Sequence, residues 1–80
     1  MVSNGKNFKE VFRQNLKRFR KERGFSQSEL SRKSHFEDSY LGKIERGNVD
    51  PSLESIKRIC NALDVKPREL LLPHDSTNGA

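Results

Sequence analysis

Apolar residues recur near the start of the chain at steps of three and four: Phe8, Val11, Phe12, Leu16 and Phe19 fall on one stripe, the mark of an amphipathic helix. The spacing predicts a helix over 8–23, ended by Gly24. A second, over 27–33, is signalled by its start. In "FSQSEL", Ser26 can cap the helix and Glu29, three residues on, can return the hydrogen bond, while Phe25 and Leu30 stand at the hydrophobic-staple positions. "SHF" breaks the pattern. A third helix is predicted over 38–46, with Leu41 and Ile44 inward and Gly47 just past its end. After the turn "NVDP", Ser52 opens a fourth helix over 52–62, with Leu53, Ile56, Ile59, Cys60 and Leu63 inward, and Pro67 suits the first position of a fifth over 67–72. No strand pattern or internal repeat is visible. The expectation is an all-α, compact five-helix domain over 7–72, with a flexible N-terminus at 1–6 and a disordered tail at 73–80.

Charge changes this picture from a fold to a candidate function. Eighty residues carry a net +5, and the balance is uneven: +6 over residues 1–23, −1 over the remainder. A chain polarised in this way points to an anionic partner. It has room for one modest core and little for an enclosed substrate cavity. The lone Cys60 excludes an internal disulfide and fits a reducing cytoplasm. Neither a signal peptide nor a membrane-length apolar run is present.

Two short helices joined by about four residues, with a basic helix before and two helices after, form the helix-turn-helix arrangement. The stretch from Phe8 to Leu72 resembles the Cro and phage-repressor (Xre-type) class of helix-turn-helix regulators, which has its signatures where this chain has "RKERGFSQSELSRKS", "YLGKIERGNVDPSL" and "NALDVKPREL". Within that class, "DSYLGKIERG" looks most like the controller proteins of restriction-modification systems, which are stand-alone homodimers. The resemblance implies a lambda-repressor-like fold.

Stepping 100° per residue along the third helix places Ser39, Gly42, Lys43 and Arg46 opposite Leu41 and Ile44, with Asp38 at the flank. That outer face would enter the major groove. Ser39 and Lys43 are one turn apart; lysine can donate to guanine O6 and N7, a serine hydroxyl can pair with several bases, and Gly42 would let the backbone approach. The resemblance implies that Asp38, Ser39 and Lys43 read bases, that Gln27 braces that contact while touching a phosphate, and that Arg20 and Glu45 form a partly buried ion pair. Lys9, Arg13, Lys17, Gln27, Tyr40, Arg46 and Asn48 flank the entering face or lie at helix ends, which makes them the candidates for phosphate contacts.

Glu37 and Asp38 stand out as carboxylates where DNA should dock. Glu37 is read as a helix-capping charge that favours the positive end of the third helix. Asp38 is open between that role and accepting a hydrogen bond from cytosine N4. It also departs from the controller proteins, which usually have a basic residue there, so their target sequence does not transfer. His35 departs too, standing where the class usually has a turn glycine at positive φ, a conformation His tolerates better than most residues. No metal or cofactor is expected. His35, His74 and Cys60 lack metal-ligand spacing, and no nucleophile and base are arranged for catalysis.

One such domain covers a half-site, so a homodimer is expected, with Leu70, Leu71 and Leu72 supplying the contact, since one short helix cannot turn all three to the same core. The sequence therefore reads as a non-enzymatic, cytoplasmic, bacterial or phage-encoded regulator that binds a pseudo-palindromic operator in double-stranded DNA and acts by blocking or touching RNA polymerase. The alternatives are a protein-interaction adaptor on the same fold, or a fragment of a larger regulator.

Overall fold

The computed structural model describes residues 7–74, which form five helices: α1 (Phe8–Glu22), α2 (Gln27–Lys33), α3 (Tyr40–Glu45), α4 (Leu53–Leu63) and α5 (Pro67–Leu71). The expected termini at 1–6 and 75–80 lie outside the described residues; Pro73 and His74 are non-helical. Among the described residues no helix is long and apolar enough to cross a membrane.

Local chemistry starts and stops these helices. Asn7 accepts from the Glu10 N–H at the head of α1. The capping box of α2 is complete: Ser26 Oγ accepts from the Glu29 N–H at 3.0 Å, and the Glu29 carboxylate accepts from the Ser26 N–H at 2.8 Å. The Ser26 backbone N–H and then the Ser26 hydroxyl, acting on the Glu29 carboxylate, hold its pKa below the ordinary value, because they favour the charged form. Ser52 caps α4. Gly24 and Gly47 have φ of 78° and 82°, the left-handed turn that ends a helix and that a Cβ would strain. His35 takes the same region at φ 67°, as its position between α2 and α3 requires.

The core is assembled from every helix: Phe12, Leu16 and Phe19 of α1, Leu30, Leu41, Ile44, Ile59, Cys60 and Leu63 of α2 to α4, then Val65 and Leu70. Cys60 is a buried free thiol, and burial, then the nearby Glu69 charge, push its pKa up. Polar residues inside the apolar stripes act as clamps. Buried Asn15 donates from Nδ2 to the carbonyls of Leu70 (2.8 Å) and Leu72 (2.7 Å), tying the end of α5 to α1. Exposed Arg23, just past the end of α1, also donates to the Leu63 carbonyl at the end of α4.

Four expectations need correction. The third helix is shorter than 38–46, because Glu37–Ser39 form a turn whose Glu37 carbonyl accepts from the Tyr40 N–H. Phe8 and Leu53, assigned to inward stripes, are 63% and 85% exposed; each is the first residue of its helix and reaches past the packed turns. Glu37 does not cap α3, which has no side-chain cap of its own. Leu70 is wholly buried and is thereby removed from any dimer surface, whereas Leu72 remains 58% exposed.

Ser34 ends α2 with its hydroxyl buried and without a hydrogen-bond partner among the described residues. Because an unsatisfied buried hydroxyl destabilises the fold, Ser34→Ala is expected to raise stability by about 1 kcal/mol. Chemical denaturation should show a higher midpoint with an unchanged slope; a lower midpoint would mean the hydroxyl is satisfied.

Candidate nucleic-acid interface

The geometry of the site follows from what holds α3. Six residues are too few for an independent helix, and this one is fixed from three directions. Leu41 and Ile44, fully buried, anchor it to the core. Buried Ser31 of α2 accepts from the Leu41 N–H at 3.0 Å and so supplies from a neighbouring helix the cap that α3 lacks. At the other end Glu45 binds Arg20 of α1, with Nε to Oε2 at 2.7 Å and Nη2 to Oε1 at 3.1 Å. The pair is bidentate and enclosed, its side chains only 9% and 5% exposed. A third Arg20 nitrogen donates to the Phe25 carbonyl.

Gln27 joins this network rather than standing free. Its Nε2 donates to Glu45 Oε1 at 2.9 Å, and its Oε1 lies 2.9 Å from where a Gly42 Cβ would sit. Gly42 is accordingly buried and not part of the outer face. Residues 42 and 45 lie three apart on the flank turned towards Gln27 and Arg20, while Ser39, Lys43 and Arg46 fall on the solvent side at steps of four and three. The close approach that the glycine permits is therefore that of the Gln27 side chain.

Ser39, Lys43 and Arg46 are exposed, and their side chains make no hydrogen bond or ion pair among the described residues. Asp38 is different. Its Oδ1 accepts from Arg32 Nε at 3.0 Å, in a pair whose members are both 62% exposed. Asp38 therefore neither caps α3 nor stands as a bare carboxylate.

The flanking residues divide in the same way. Lys17 and Asn48 are exposed and without a side-chain partner among the described residues. Lys9 is exposed but paired with Asp50 at 2.7 Å, and Arg13, half-buried, lies against Gly47 in the turn after α3. Tyr40 is half-buried: its hydroxyl donates to Ser55 Oγ at 3.2 Å and its ring packs on Phe36 with centroids 4.5 Å apart, so, like Lys9, it would have to leave a present contact to reach a phosphate.

Sequence reasoning missed Arg32, Ser31 and Asn15. A signal existed for two of them: Ser31 follows Leu30 on the face shared with Gln27 and Ser34, and Asn15 lies inside the Val11–Phe19 stripe, so helical spacing alone puts both inward. Arg32 was readable only as one more exposed cation, because its partner lies across a turn whose path the sequence does not specify.

Comparison with known proteins agrees with this architecture. The helix-turn-helix family matches residues 16–70. The transcriptional regulator SinR of Bacillus licheniformis is 40% identical over 65 residues, which are 80% of this chain and 59% of that protein; this chain thus spans less than two thirds of that relative's length. The restriction-modification controller protein C.AhdI of Aeromonas hydrophila superposes with a TM-score of 0.73 at 40% identity, covering 78% of this chain and 94% of that one. A structure of the biofilm-formation regulator SinR in complex with DNA gives 0.71 at 39% identity, covering 76% and 98%. Matched over most of its length in sequence and in structure, the chain belongs to the helix-turn-helix family, several of whose matching members are named as transcriptional regulators.

Proposed function

We propose that this chain binds a specific, pseudo-palindromic operator as a homodimer, with α3 lying in the major groove, and regulates transcription in the bacterial or phage-infected cytoplasm by blocking or touching RNA polymerase. The observation that carries the reading is the division of labour on α3. One side is consumed by Leu41, Ile44, Glu45 and the packing of Gln27 against Gly42, while Ser39 and Lys43 on the other have no structural task. Lys43 is assigned to a guanine, Ser39 to the neighbouring base, and Gln27 to bracing. Lys17, Arg46 and Asn48 are assigned to phosphates, with Lys9 and Arg13 following where DNA draws them from their present contacts. The DNA-bound SinR relative supports the partner class.

For the dimer, support comes from exposed apolar surface. Leu72 is exposed at the end of α5, and a separate groove is lined by half-buried Leu71 together with the exposed Phe8 and Leu53. Exposed patches of this kind mark contact surfaces. A two-fold arrangement would set half-sites about 34 to 36 Å apart, one turn of DNA.

The test is to incubate the protein with a random-sequence duplex pool at near-physiological salt and sequence what it retains. A two-fold symmetric motif is expected, and Lys43→Ala should lower affinity for it roughly 10- to 100-fold while relaxing one base position. Tight binding without enrichment would reduce the protein to a nonspecific DNA binder. No retention at all would favour the adaptor reading.

A further inference from the structure

The Arg32–Asp38 pair lies at the entry to α3 yet contributes little to the fold. Both side chains are largely exposed, and an ion pair so wetted adds little stability. Arg32 comes from the last turn of α2 and Asp38 from the turn that immediately precedes Ser39 and Tyr40. The bond from Nε to Oδ1, 3.0 Å long, therefore carries a guanidinium from one helix to the head of the next. It also fixes which part of Arg32 is used. With Nε engaged, no other bond holds the guanidinium, and its two terminal nitrogens stay available as a planar fork.

That fork has a specific complement. Two parallel N–H donors match O6 and N7 of guanine in the major groove, and holding the third nitrogen fixes the plane in which they point. The charges agree with this geometry. A lone carboxylate facing DNA is repelled by phosphates, but bound to Arg32 it becomes half of a neutral pair whose outer edge is all donors. Lysine could not replace arginine, since an ammonium has no fork and no separate nitrogen for the aspartate.

We infer that Arg32 reads a guanine in each half-site, and that Asp38 is the positioning residue that aims it rather than a reader of cytosine. The inference rests on α3 entering the major groove as set out above. It adds a base-reading residue from α2 and gives the two residues a single, shared function.

Site selection from the random duplex pool distinguishes the alternatives, run with the unaltered chain, Arg32→Lys, Asp38→Ala and the double variant. In the unaltered chain one guanine per half-site should be strongly preferred. Arg32→Lys and Asp38→Ala should each weaken that preference roughly 10-fold or more at the same position, leaving the rest of the motif intact. The double variant should lose no more than Arg32→Lys alone, because the two act as one unit. Thermal midpoints should be unchanged throughout, which a structural role would not allow.

Four results would overturn the inference. If Asp38→Ala relaxes a cytosine at a position that Arg32→Lys leaves untouched, Asp38 reads by itself. If Arg32→Ala, titrated alongside, weakens binding to all sequences equally and reduces the salt slope by about one, Arg32 holds a phosphate. If the unaltered chain enriches no motif, the specific-regulator reading fails and this inference with it, whereas an enriched motif that neither variant changes sinks only the inference.

Discussion

Arg20→Met is expected to destabilise the domain by about 3 to 5 kcal/mol, the characteristic cost of removing one partner from a buried pair. The loss arises less from the bond itself than from what is left. Glu45 would remain enclosed, with Gln27 as its single side-chain donor, and the Phe25 carbonyl would lose its arginine donor. In a domain of this size each kcal/mol moves the thermal midpoint by roughly 4 to 8 °C, so a fall of more than about 10 °C should appear by circular dichroism. Arg20→Met combined with Glu45→Leu should recover much of it, since an apolar pair of similar volume is often neutral or better. A midpoint that does not move in the single variant would show that the pair is not buried in solution.

Raising salt from 50 to 200 mM is expected to weaken binding to each half-site roughly 150-fold, if about four phosphates are neutralised and each contributes a slope near −0.9. The unpartnered Lys17 and Arg46, together with Lys9 and Arg13 in the bound state, supply that number of cations, and neutral Asn48 adds a hydrogen bond without releasing a counterion. Of the four cationic ones, Lys17 and Arg46 have no competing partner, so Lys17→Ala should weaken binding to all sequences alike and reduce the slope by about one. Lys9→Ala should do less, because Asp50 already holds that ammonium in the free protein. Binding that ignores salt would remove the phosphate contacts from the reading.

Much of the fold was legible because its signals are local. The Val11–Phe19 stripe, the Ser26–Glu29 box, the Ser52 cap and the two turn glycines each lie within a few residues of what they control, and all stand where the sequence places them. What was not legible depends on how the chain turns between elements. Whether Phe8 and Leu53 are covered and whether Tyr40 turns to Ser55 are decided by residues on other helices, and whether Asp38 meets Arg32 by the path of the turn between α2 and α3. Periodicity reports the phase of a helix but not what arrives opposite it. The family resemblance supplied the Arg20–Glu45 pair, which no spacing argument could have matched across 25 residues. For Gly42 the same resemblance gave no help, since the helical phase was drawn around Leu41 and Ile44 without knowing that Gln27 lies against the flank.

The brevity of α3 has a dynamic consequence. A six-residue helix cannot persist once the core, Ser31 and Glu45 that hold it have opened. Its amide protons should therefore exchange with solvent at least as fast as those of the helices it rests on. Partly unfolded molecules would then retain no residual recognition, and in the cell the active fraction of this protein would equal its folded fraction.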